Sequence, residues 1–72
     1  MALTMGDKIM IIMKRRQLTI TQLAAKTNQS RTNLSNKLKR DNFQEQELRA
    51  IAEALDCDFE ASFVMRDTGE RI

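Results

Sequence analysis

Apolar residues recur with a helical period along most of the chain and with a period of two near its end. In the first segment Met5, Ile9 and Ile12 fall on one helical face, with Met13 beside Ile9 and Arg16 closing the stripe. Thr4 and Asp7 stand three apart ahead of it, a capping box with Asp in place of Glu. A helix is predicted over about residues 5–15, with Leu18 turning inward after it. Thr19 and Gln22 make a second capping box, for a helix over about residues 20–27 whose inward face is Leu23, Ala24 and Thr27. Ala24 is small enough to let another helix cross close to its backbone.

No Gly or Pro follows, yet the chain must turn. Asn28 can end the second helix, because Asn adopts the left-handed conformation more readily than other side chains do. Ser30 is then the N-cap of a third helix over about residues 31–39. That helix has two strong apolar positions, Leu34 and Leu38. Thr32, Asn36 and Lys39 point away from them, with Asn33 and Arg40 on one flank. A helix so polar gains little from burial, and its outer face is dense in hydrogen-bonding and cationic groups.

A fourth helix, about residues 44–55, carries Leu48, Ile51, Ala52 and Leu55 at the spacing of a buried stripe. Asn42 and Glu45 are expected to cap it, and Phe43 to plug the core at its start. Then the period changes. Phe59, Ala61, Phe63 and Met65 alternate with Glu60, Ser62, Val64 and Arg66, the signal of a strand. Asp67-Thr68-Gly69 reads as a turn, with a return strand starting near Glu70. The expected fold is mainly α: four helices, or five, over about residues 5–55, with a short C-terminal β-strand or hairpin over about 59–72. The whole chain, 1–72, is expected to be one domain, since 72 residues bury only about 60% of their unfolded surface. Assembly with a second copy would add to so small a core. The five methionines, Met1, Met5, Met10, Met13 and Met65, read as filler of core and surface.

The charge distribution adds a function to this outline. From Lys8 to Arg40 there are nine basic residues and no acidic one; from Asp41 onward there are nine acidic and three basic. A net charge of only +2 hides a basic half suited to a polyanion. The Lys14-Arg15-Arg16 run is read either as phosphate contacts or as charge complementing a helix C-terminus. With no His and one Cys, zinc sites, Cys–His dyads and Ser–His–Asp triads are excluded, and no phosphate-binding glycine loop is present. No enzyme, cofactor or metal is expected. Cys57 reads as a loop thiol. Asp67-Thr68-Gly69 spells the aspartic-protease triplet, but Arg66 and Glu70 flank it and too few strands surround it. No run of about 18 apolar residues occurs, so no membrane span or partner membrane is expected, and the lone cysteine points to a reducing, cytoplasmic setting.

The middle of the chain resembles the Cro/phage-repressor, or Xre, family of helix-turn-helix DNA-binding proteins, in its short stand-alone bacterial form. The resemblance rests on Gln22-Leu23-Ala24, the turn at Asn28, Ser30, Leu34-Ser35 and Leu38, followed by Leu48, Ile51-Ala52 and Leu55. It covers about residues 5–55. Asn28 stands where that family usually has Gly, and Gln29 and Lys37 stand where it usually has an aliphatic residue. The resemblance implies a transcriptional regulator, a repressor by expectation, that binds double-stranded DNA at an approximately palindromic operator, in the cytoplasm and on the nucleoid when bound. No small-molecule effector is expected, because no sensor domain is seen.

Elementary geometry leads to the same assignment. Two helices joined by a short turn place the second in the major groove, where Arg grips guanine and Asn grips adenine. Base contacts are expected from Arg31, Thr32, Ser35 and Asn36. Backbone contacts are expected from Thr19, Gln22, Asn33, Lys37, Lys39 and Arg40. A homodimer is expected through Phe59, Ala61, Phe63 and Met65 of the C-terminal strand. Two other functions fit the charge pattern: a protein-interaction module, such as an antitoxin whose acidic C-terminal half masks a partner, and a non-specific nucleic-acid binder.

Overall fold

The computed structural model describes residues 2–72; Met1 lies outside the described residues. Four helices follow in order: α1 (Met5–Arg15), α2 (Ile20–Lys26), α3 (Arg31–Arg40) and α4 (Glu45–Ala54). There is no fifth helix among the described residues.

Three helices start where side chains satisfy orphan amides. Thr4 Oγ1 accepts from Asp7 N–H at 3.0 Å while Thr4 N–H donates to Asp7 Oδ2 at 3.1 Å. Thr19 and Gln22 repeat the exchange at 3.1 and 2.9 Å. Ser30 Oγ accepts from Asn33 N–H at 3.0 Å. The cap expected from Asn42 on α4 is not made; Gln44 holds the N-cap position without a side-chain bond. Glu45 and Glu47 in the first turn of α4 favour that end electrostatically instead.

All four helices end on a left-handed residue, and none of the four is glycine. Gln17, Asn28, Asp41 and Asp56 have φ of 57°, 57°, 53° and 58°. The next residue in each case donates back into the last turn: Leu18 to Met13 O at 2.9 Å, Gln29 to Ala24 O at 3.0 Å, Asn42 to Lys37 O at 3.3 Å, and Cys57 to Ala52 O at 2.8 Å. These six-to-one bonds satisfy carbonyls that the helix leaves open. Asn28 thus does what the sequence predicts of it.

The core is built from Ile9 and Met13 of α1, Leu23 and Ala24 of α2, Leu34 of α3, and Ile51 and Leu55 at α4. Leu18, Leu38, Phe43 and Leu48 pack against it while partly exposed. α3 packs on α1 and α2, and α2 also packs on α4, whereas the backbones of α1 and α4 stay apart. Arg16 links their ends: its guanidinium donates to Leu55 O at 3.1 Å and Asp56 O at 3.2 Å. That places one cation of the Lys14-Arg15-Arg16 run at the C-terminus of α4, where the helix dipole favours it.

The C-terminal segment departs from the expected strand. Phe59 is half-buried beneath Arg49, whose guanidinium carbon lies 5.8 Å from the ring centre. Residues 60–62 form no regular structure and make no backbone pairing. Phe63 and Ile72 then exchange two backbone bonds of 3.0 and 2.9 Å, and Met65 N–H donates to Glu70 O at 2.8 Å. Among the described residues the only bridge is Val64 with Arg71, antiparallel, so the segment is a small hairpin rather than a sheet strand. Alternation makes one face apolar, but a strand needs a partner for its backbone groups, and here only the three-residue return, Glu70 to Ile72, supplies one.

Candidate nucleic-acid interface

The α2–turn–α3 unit holds one helix by its apolar side and leaves the other side open. Leu34 is fully buried, while Arg31, Thr32 and Asn36 are exposed and Ser35 is half-buried. These four residues, expected to touch bases, occupy the first turn and a half of α3. Lys39 and Arg40 are exposed in its last turn. Asn36 and Arg40 share a polar hollow of about 260 Å³ with Asn33, Asn42 and Gln44.

Thr19 and Gln22 are exposed at the start of α2, but their oxygens are engaged in the capping box. Gln22 keeps its amide N–H groups for an outside acceptor. Lys37 behaves differently from the other cations of α3. It is half-buried, and its ammonium is paired with the Glu47 carboxylate of α4. The position where an aliphatic residue is usual therefore joins α3 to α4 by charge.

Gln29 braces the turn in a way that pattern reading passes over. Its amide donates to Thr27 Oγ1 at 2.8 Å and its Oε1 accepts from Asn33 Nδ2 at 3.2 Å. Thr27 Oγ1 in turn donates to Leu23 O at 2.9 Å. This relay ties the end of α2, the turn and the first turns of α3 together with polar bonds. The departure from an aliphatic residue at position 29 was the available signal; the Gln–Asn spacing of four, one helical turn, was the other.

The residues expected to form a dimer are split. Phe59 is half-buried, whereas Ala61, Phe63 and Met65 are exposed. No helix among the described residues is long and apolar enough to cross a membrane.

A family model for the Cro/C1-type HTH DNA-binding domain matches residues 8–60. The match runs from the first turns of α1 through α4 to Glu60, and the hairpin lies beyond it. No curated protein and no solved structure matches the chain. With a fold of four short helices, a buried Leu34 and an open polar face on α3, the chain belongs to the Cro/C1-type helix-turn-helix DNA-binding family.

Proposed function

We propose that the chain is a sequence-specific regulator of transcription that inserts α3 into the major groove and binds its operator as a homodimer. The observation that carries this reading is the exposed polar face of α3, set on a turn that buries Leu34. Arg31, Thr32, Ser35 and Asn36 read base edges. Thr19, Gln22, Asn33, Lys39 and Arg40 hold phosphates and fix the register. Lys37, engaged with Glu47, orients α3 instead of meeting the backbone. A single recognition helix buries too little surface for tight, selective binding, which favours two copies on a two-fold site. Repression follows from occupancy: a protein in the major groove excludes polymerase from an overlapping promoter.

The test starts with selection of duplexes from a random pool. Asn36→Ala is expected to lose about 1–3 kcal/mol on the selected site and little on random DNA. Equal losses on both would overturn the assignment of α3 as the reading helix.

A further inference from the structure

One flank of α3 carries a row of three polar residues a helical turn apart, and its middle member is engaged elsewhere. Asn33, Lys37 and Arg40 follow the spacing i, i+4, i+7, so they run along one side of the helix. All three, with Asn36, border the polar hollow of about 260 Å³ beside the outward face. Asn33 and Arg40 belong to the phosphate-holding set proposed above. Lys37 stands between them on a flexible four-carbon stem, where an ammonium has the reach to meet the same strand. It is instead paired with Glu47 of α4, and the two side chains are only 27% and 26% exposed.

Glu47 is placed for this by its own helix. It is the third residue of α4, in the first turn, where the helix dipole favours a carboxylate. A Glu at that position commonly reaches back to the N-cap amide; here its Oε2 accepts from the Lys37 ammonium. Glu47 also borders a second polar hollow, of about 350 Å³, together with Asn33 and Lys37. Among the described residues it is the one carboxylate in the lining of either hollow. A surface made mostly of carboxamides and cations thus carries a single negative charge, and that charge sits on the cation in the middle of the row. Two effects keep Lys37 there when DNA approaches. Moving its ammonium to a phosphate would leave Glu47 unpaired near the strand, poorly screened at a Debye length of about 8 Å. It would also cut the tie between α3 and α4.

We infer that Glu47 is a specificity-determining residue that acts through Lys37: by holding the ammonium, it withholds one phosphate contact from the flank of α3. Charge supplies nearly all of the affinity for random DNA and only a share of the affinity for a specific site. A withheld cation therefore weakens random binding more and widens the gap between the two. The inference rests on the reading of α3 as the helix in the groove, and it adds a role for α4 that this reading leaves out.

The experiment is a salt titration on a random-sequence duplex and on the selected one. Glu47→Gln keeps the shape of the side chain and frees Lys37. On random duplex the slope of log K against log salt should steepen by about 1, and affinity should rise roughly three- to tenfold at about 50 mM salt. The rise on the selected duplex should be smaller. In the Lys37→Ala background the same substitution should leave the slope unchanged, since no cation remains to be freed. Reversing the pair, Lys37→Glu with Glu47→Lys, keeps the ion pair and should return the wild-type slope. The denaturation midpoint of each variant shows that it is folded. An unchanged slope for Glu47→Gln overturns the inference, as does a reversed pair whose slope departs from the wild type. Full steepening without Lys37 overturns it too, because Glu47 would then be a plain repelling charge. Equal gains on both duplexes overturn the role in specificity. Steepening that depends on Lys37, in a protein that selects no sequence, would sink the sequence-specific reading and leave the withheld contact standing. A selected sequence with no steepening would sink the inference alone.

Discussion

Gly6 N–H donates to Asp41 Oδ1 at 2.7 Å, joining the first turn of α1 to the residue that ends α3. The carboxylate meets an amide that α1 cannot satisfy itself, at the end where the helix dipole favours negative charge. The same approach leaves no room for a side chain. A Cβ on Gly6 would lie 2.7 Å from the Leu38 carbonyl oxygen, which is backbone and cannot swing aside.

Two effects oppose each other in Gly6→Ala. Helix propensity favours Ala by up to about 1 kcal/mol. The overlap with Leu38 forces α1 away from α3 and costs about 1–3 kcal/mol. The expected outcome is net destabilisation, read as a lower denaturation midpoint with an unchanged slope against denaturant. A midpoint that rises would show that α1 does not sit this close to α3.

The left-handed helix ends give a prediction with a rank order. A residue with a Cβ costs roughly 1–2 kcal/mol in this conformation, less for Asn and Asp. Gln17 has no short polar side chain to offset that strain. Gln17→Gly should stabilise by about 0.5–1 kcal/mol after the entropy of the unfolded glycine is counted. Asn28→Gly should change stability less, and Asn28→Val should destabilise. Thermal or chemical denaturation of the three variants decides the order.

These positions also mark how far the sequence could be read. The helices were legible because Thr4-x-x-Asp7, Thr19-x-x-Gln22 and Ser30 are local signals, and because Leu48, Ile51 and Leu55 keep a helical period. Asn28 was legible because Asn is known for this turn. Gln17 was not, since nothing in its chemistry announces a positive φ. Gly6 meeting Asp41, 35 residues apart, is a tertiary event without a local signature. On α3, the outward face could be read from Leu34 and Leu38, but Lys37 and Glu47 find each other only after α3 and α4 are docked. Of the strand or hairpin read from the alternation between Phe59 and Met65, the strand does not form and only a one-bridge hairpin does, because periodicity specifies a face and says nothing about a pairing partner.

The cations of α3 should separate in a salt titration. Neutralising one true phosphate contact flattens the slope of log K against log salt by about 1. Lys39→Ala and Arg40→Ala are expected to do so. Lys37→Ala is expected to leave the slope unchanged while lowering stability slightly, since a pair still partly open to solvent contributes about 0–1 kcal/mol. A flattened slope for Lys37→Ala would place its ammonium on DNA and not on Glu47.

Gln29 allows folding and recognition to be pulled apart. In a helix end of this type the residue after the left-handed one commonly makes an apolar contact with the last turn. Gln29→Leu restores that contact while deleting the bonds to Thr27 and Asn33. Stability should therefore change by less than about 1 kcal/mol, since the lost bonds are partly exposed and each is worth about that much. Asn33 is affected more. With Gln29 in place, one Nδ2 hydrogen is committed to Oε1, which fixes the amide plane and the direction of the remaining N–H and of Oδ1. Without it the amide rotates freely, and any contact it makes to DNA must first order it. The expected result is weaker operator binding for Gln29→Leu at nearly native stability. Gln29→Glu, which keeps an acceptor for Asn33, should recover part of the loss. A double-mutant cycle with Asn33→Ala measures the coupling. If Gln29→Leu weakens binding by the same factor whether or not Asn33 is present, the relay does not act through Asn33.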